Sequence, residues 1–172
     1  MKSKQVSEKL GPAFNRLFSA SVISNLSDGL LAVAAPLLAI SLTKDPVLIS
    51  MLSAFVMLPW LLFAIPIGLI VDRSDKRLLI TLTNSIRFIT AGLVALAIST
   101  DTITIYWLLL ATFLIGTCEV ATDTAAQSLI PVILEKKNFE KANSRMNIAE
   151  TVIQNFIGAP LSGFLYATAI VL

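Results

Sequence analysis

Gly68-Leu69-Ile70-Val71-Asp72-Arg73-Ser74-Asp75-Lys76-Arg77 joins two long apolar runs, one over about residues 47–71 and the other over 78–99. Charge is packed into its second half, while the sequence on either side is almost without it. About 20 mostly apolar residues in a helix cross the hydrocarbon core of a bilayer, and both runs have that length. The stretch therefore reads as a charged turn between two membrane-crossing helices. A turn this short makes its two helices lie side by side and antiparallel.

Working outward, the same pattern recurs. Apolar runs bounded by charge cover about 17–42, 47–71, 78–99, 103–130 and 148–166, and 166–172 stays apolar, which fits the start of a sixth span. Across the 172 residues, 56% are hydrophobic and only 14% charged. A soluble domain usually carries about 25% charged residues, so most of this surface is expected to face lipid. The first run contains Asp28 and precedes further spans, which excludes a cleavable signal peptide. The expectation is an all-α membrane protein of about five transmembrane helices. Because the sequence stops inside an apolar stretch, it is expected to be part of a longer chain.

Composition also removes whole classes of chemistry. With no histidine, His-based general-base catalysis, Ser-His-Asp triads and His-ligated metal sites are out of reach. A single cysteine, Cys118, allows no internal disulfide. The net charge of +2 is too small to suggest nucleic acid as a partner. Neither a metal nor a cofactor is expected.

The placement of positive charge matters more than its sum. Of 13 Lys and Arg, eleven lie in the N-terminal arm (Lys2, Lys4, Lys9, Arg16), the second loop (Arg73, Lys76, Arg77) and the fourth (Lys136, Lys137, Lys141, Arg145). The first loop has Lys44 alone and the third has none. Short loops rich in Lys and Arg stay on the cytoplasmic side, so the N-terminus is expected there. The fourth loop is the long one, and Leu134, Phe139, Ala142 and Met146 recur near helical spacing among its charges. This fits a short amphipathic helix on the inner membrane face as well as it fits a solvated basic loop.

Ionisable groups inside spans are costly, about 2.5 to 3.5 kcal/mol each on insertion scales, so they mark candidate sites. Asp28 lies twelve residues beyond Arg16, about 18 Å in. Arg87 and Asp123 both fall about 12 to 13 Å from the basic side, and Glu119 lies one turn deeper than Asp123, on the same helix face. The expected ion pair joins Arg87 to Asp123 or Glu119, which leaves Asp28 without a partner. Asp28, Glu119 and Asp123 are the proton-coupling candidates; the alternative is a polar patch that glues helices together. Glu150 is read as a carboxylate near a helix N-terminus.

Prolines and glycines interrupt the spans. Pro59 and Pro66 lie two turns apart in the second, and Gly158, Pro160 and Gly163 are expected to kink the fifth. Gly158, Ser162 and Gly163 offer small surfaces for close helix approach. Kinks of this kind suit helices that rock against one another, and equally a rigid bent bundle.

The loop Gly68–Arg77, with Asp72-Arg73 and the basic pair Lys76-Arg77, resembles the signature loop of the major facilitator superfamily. Gly158-Ala159-Pro160-Leu161-Ser162-Gly163 looks like the glycine-proline motif of its antiporters, without the usual leading glycines. Ala126-Gln127-Ser128-Leu129-Ile130-Pro131, followed by Ala142-Asn143, is similar to the drug and siderophore exporters that include macrolide efflux proteins. Two departures stand out: Thr112 occupies the place where such antiporters often carry an arginine, and Asp75 stands where glycine is more usual.

The resemblance implies the N-terminal part of a twelve-helix transporter made of two six-helix halves, each of inverted three-helix repeats. The C-terminal half would lie on missing chain. It further implies proton-coupled efflux of small amphiphilic molecules by alternating access, in a bacterial plasma membrane, with Gly68, Asp72, Arg73, Lys76 and Arg77 gating the inner side. The partners are a small-molecule substrate, protons and the lipid bilayer. An uptake permease on the same fold remains open, as does a non-transporting membrane subunit. No HExxH, GxSxG or phosphate-binding GxxxxGK[ST] pattern occurs, so an enzyme is not expected.

Overall fold

The computed structural model describes residues 10–171, and the regular structure among them is helical. Lys2, Lys4 and Lys9 of the basic N-terminal arm lie outside the described residues. Four long helices follow one another: α1 (Gly11–Leu42), α2 (Pro46–Arg73), α3 (Lys76–Ser99) and α4 (Ile105–Ile133). All four are long and apolar enough to cross a membrane. A 3₁₀ turn (Lys136–Asn138) leads into α5 (Phe139–Thr151), a π-helix (Val152–Gly158) and α6 (Ala159–Val171).

Helix ends overrun the apolar runs because polar residues cap them. Asp45 accepts from the Val47 N–H at 2.8 Å with Pro46 opening α2, and Thr104 accepts from the Trp107 N–H at 3.4 Å to start α4. Between α2 and α3, Asp75 Oδ1 accepts from the N–H groups of Arg77 and Leu78 at 2.9 and 3.0 Å. Those two bonds, backed by Arg77 and Lys76, hold the Asp75 carboxyl below the usual carboxylate range. The acid found where the family resemblance leads one to expect glycine is thus the N-cap of α3.

Residues 139–171 form one continuous helical run, which corrects two expectations. The amphipathic segment is the first part of the run that ends in α6 rather than a separate surface helix, and residues 166–171 prolong that run rather than begin another helix. The periodicity itself is real: Leu134, Phe139, Ala142 and Met146 all pack into one cluster with Leu10, Phe14 and Leu17 of α1 and Ala126 and Ile130 of α4.

At the centre stands α4, flanked by α2 and α3 and carrying more buried residues than any other element described. Its small side chains make this possible: Ala121 and Ala125 meet Ile67 and Val71 of α2, and Gly116 admits the buried ring of Pro59. A Cβ on Gly116 would stand 3.2 Å from Pro59 Cγ. Pro66, by contrast, is exposed. On the other flank, α1 packs against the π-helix and α6, and the Tyr166 hydroxyl donates to the Leu37 carbonyl at 3.4 Å. Large apolar side chains such as Leu61, Ile65 and Phe88 are about four-fifths exposed, which in water would be untenable and in lipid is the ordinary state.

Candidate functional site

Arg87 sits midway along α3, with its guanidinium buried in the bundle. Nη2 donates to Asp28 Oδ1 in a direct ion pair, and Nη1 donates to Ser24 Oγ at 2.7 Å, so one side chain ties α3 to two successive turns of α1. Close by, the hydroxyls of Thr83 and Thr122 bond each other at 2.7 Å and join α3 to α4. The expected pairing of Arg87 with Asp123 or Glu119 is therefore corrected, and Asp28 is not partnerless. The physical reason is solvation. All three acids reach cavity walls, but Asp28 is only 8% exposed, whereas Glu119 and Asp123 are half-buried. The least hydrated acid needs the arginine most.

Two cavities flank this ion pair. The first, of about 350 Å³, lies among α1, α2, α4 and the π-helix, and its walls are mostly apolar, with Leu31, Leu52, Val56 and Ile115 prominent. Its polar groups are few: Asp28, Glu119, Gln154, Ser53 and Thr112, the last standing where an antiporter arginine is often found. The second cavity, of about 410 Å³, lies nearer the basic end among α1, α4 and α5. It is polar, with Asp123 and Glu150 as its acids and Asn25, Gln127, Asn143 and Asn147 as its amides.

Glu119 and Asp123 share one face of α4 as their spacing predicts, yet they open onto different cavities. Neither makes an ion pair or hydrogen bond among the described residues. Arg87 is nonetheless within electrostatic reach of both, and Glu150 acts on both as well. One arginine thus stands among three carboxylates at contact or short range, with a fourth beyond.

Glu150 also departs from its expected place. It is near the end of α5, eleven residues past Phe139, so no helix N-terminus stabilises it. The sequence did carry a signal for it: Asn143, Asn147, Glu150 and Gln154 recur at helical spacing, a polar stripe running into the fifth span. Reading the basic loop as separate from the span hid that stripe.

The glycine-proline segment is split in its behaviour. Gly158 touches Gly29 of α1 so closely that a Cβ there would stand 2.9 Å from Gly29 Cα, and a Cβ on Gly29 would collide with the Gln154 carbonyl oxygen at 2.3 Å. Gly163 has nothing within 4 Å of such a position. The distortion takes the form of a π-helix, with the Ala159 N–H donating to the Gln154 carbonyl five residues back. Pro160, which has no N–H to return to Phe156, follows directly.

In the charged loop, Asp72 is exposed and makes no ion pair among the described residues. The turn is held by Asp75 and by Lys76, whose Nζ donates to the Val71 carbonyl at 3.4 Å. Gly68 has no atom within 4 Å of a would-be Cβ, so no helix approaches it closely among the described residues. No group of His, Cys, Asp and Glu suited to a metal ion is found among the described residues.

Comparison with families of known proteins matches residues 17–170 to the Major Facilitator Superfamily. Comparison with curated proteins and with solved structures finds no match. The match covers most of the sequence, and the chain belongs to the Major Facilitator Superfamily, a family of membrane transporters.

Proposed function

We propose that this superfamily member works in the proton-coupled efflux of small amphiphilic molecules by alternating access, with its basic loops in the cytoplasm and with a C-terminal half, on further chain, closing the other side of the site. The observation that carries the reading is Glu119, a carboxylate without an ion pair on the wall of a mostly apolar cavity of about 350 Å³. Apolar walls suit the body of an amphiphile, and a few polar groups suit its head.

Arg87 supplies the logic of coupling. It is bonded to Asp28 and stands within electrostatic reach of Glu119 and Asp123. Protonating Asp28 would remove its claim on the guanidinium and free Arg87 to turn towards α4. Asp28, Glu119 and Asp123 are then alternative holders of one proton and one arginine, and the side that each faces changes as α1 moves against the π-helix. The contact of Gly29 with Gly158 is the place where that motion would pivot, and the resemblance of Gly158–Gly163 to the antiporter motif favours export.

Everted membrane vesicles carrying the full polypeptide test this. When their lumen is acidified, a fluorescent amphiphile should accumulate inside, and Glu119→Gln should abolish the accumulation. Uptake driven only by the opposite gradient would turn the reading into import, and no gradient-dependent movement at all would remove proton coupling.

A further inference from the structure

On the outer flank of the bundle, α1 and the fifth helical run enclose a groove of about 330 Å³ that no part of the proposed transport site uses. Phe18 and Val22 form one wall, and Ile148, Val152 and Ile153 form the other. Phe18 and Val22 are one turn apart on α1, as are Ile148 and Val152 on the facing run, so each wall is a straight apolar strip. From residue 145 to residue 153 the groove descends about 12 Å away from the basic end.

Arg145 is the one charged residue lining the groove. Its guanidinium carbon lies 5.6 Å from the centroid of the Phe18 ring, a cation–π contact that fixes the side chain over the groove's mouth. No side chain or carbonyl among the described residues accepts a hydrogen bond from the Arg145 guanidinium, which leaves its N–H donors for a ligand. No carboxylate pairs with Arg145 among the described residues. The mouth lies at the end of the bundle that also carries Arg73, Lys76, Arg77 and Lys136, so the local field favours an anion.

We propose that this groove is a binding site for an anionic phospholipid of the surrounding bilayer. The phosphodiester takes the free edge of Arg145, and an acyl chain lies along the strip between Phe18 and Val22 on one side and Ile148, Val152 and Ile153 on the other. Two features together select this occupant: a planar cation matched to phosphate at headgroup level, and a trough without other charge leading from it towards the middle of the membrane. A soluble anion would use only the first, and a neutral lipid only the second.

Native mass spectrometry of the full polypeptide, purified in detergent and titrated with phosphatidylglycerol or phosphatidylcholine, reads the site. The native protein should retain phosphatidylglycerol at least fivefold better. Arg145→Gln should erase that preference, Arg145→Lys should restore part of it, and Val152→Trp, which fills the trough, should weaken retention of both lipids. Each variant is compared only if it elutes as a single species from size exclusion. Equal retention of the two lipids by the native protein, or a preference that survives Arg145→Gln, would overturn the proposal. So would a photo-crosslinker at position 148 that joins protein rather than lipid, because another helix would then fill the groove.

Discussion

The residue that most constrains this molecule is Arg87. Its buried ion pair with Asp28 is maintained against the desolvation of both groups, and removing one partner leaves the other charged in an apolar setting. Arg87→Met should lower stability by about 3–5 kcal/mol, a large share of a fold whose net stability is about 5–15 kcal/mol. The companion change Asp28→Leu in the same chain should recover most of that loss. Thermal unfolding of the purified full polypeptide, followed by fluorescence, compares the three proteins. A double variant as unstable as Arg87→Met alone would mean that packing, rather than charge, is what Arg87 provides. Sequence showed that Arg87 needs an acid but not which one. Spacing along a helix gives depth, whereas the choice among Asp28, Glu119 and Asp123 depends on how the helices are rotated about their axes and on which acid water can reach.

At the scale of the elements, caps and crossings divide the labour. Gly29 and Gly158 meet backbone to backbone, and methyl groups have no space there. Gly158→Ala should therefore cost about 1–3 kcal/mol, as overpacking does, while Gly68→Ala and Gly163→Ala should stay within about 0.5 kcal/mol of the parent. Equal effects at all three glycines in the same unfolding assay would show that helix propensity, not the crossing, is being measured. The turn between α2 and α3 makes a different kind of prediction. Because the Arg77 and Leu78 N–H groups depress the Asp75 carboxyl below its ordinary value, its stabilising effect is complete above the usual carboxylate range. It is lost as pH falls through the lowered value. Asp75→Ala should thus unfold earlier than the parent near neutral pH, and the two should converge in acid. A gap that persists when the carboxyl is protonated would deny the cap its charge. Four of the apolar runs underlie the four long helices, since length and hydropathy are local properties, although α1 begins six residues before its run. The π-helix escaped notice because it arises from a tertiary event, the approach of α1 at Gly29, together with a proline whose missing N–H has local effects of several kinds.

Over the whole molecule, two asymmetries coincide. Basic residues gather where α1 begins, where α2 turns into α3 and where α4 passes into α5, and the polar cavity with Asp123 and Glu150 opens near that end. The more apolar cavity with Glu119 lies deeper. The alternation of loops was legible in the sequence because charge and connectivity suffice for it. The centrality of α4 was not, because the burial of one apolar helix among others depends on small residues such as Gly116, Ala121 and Ala125 meeting particular neighbours. If the basic end faces the cytoplasm, protons arriving from outside in the proposed cycle would reach Glu119 before Asp123, an order that export and uptake share. Orientation is therefore the fact on which that order rests. Thr102, between α3 and α4, and Lys136, after α4, are both exposed and lie at opposite ends of the bundle, and Cys118 is buried at 6% exposure, so its thiol should give little background. In intact cells producing the full polypeptide, a membrane-impermeant maleimide should label Thr102→Cys and spare Lys136→Cys, and permeabilisation should expose the latter. Labelling of Lys136→Cys from outside would invert the bundle, place the polar cavity on the outer side, and make Asp123 and Glu150 rather than Glu119 the first acids that an incoming proton meets.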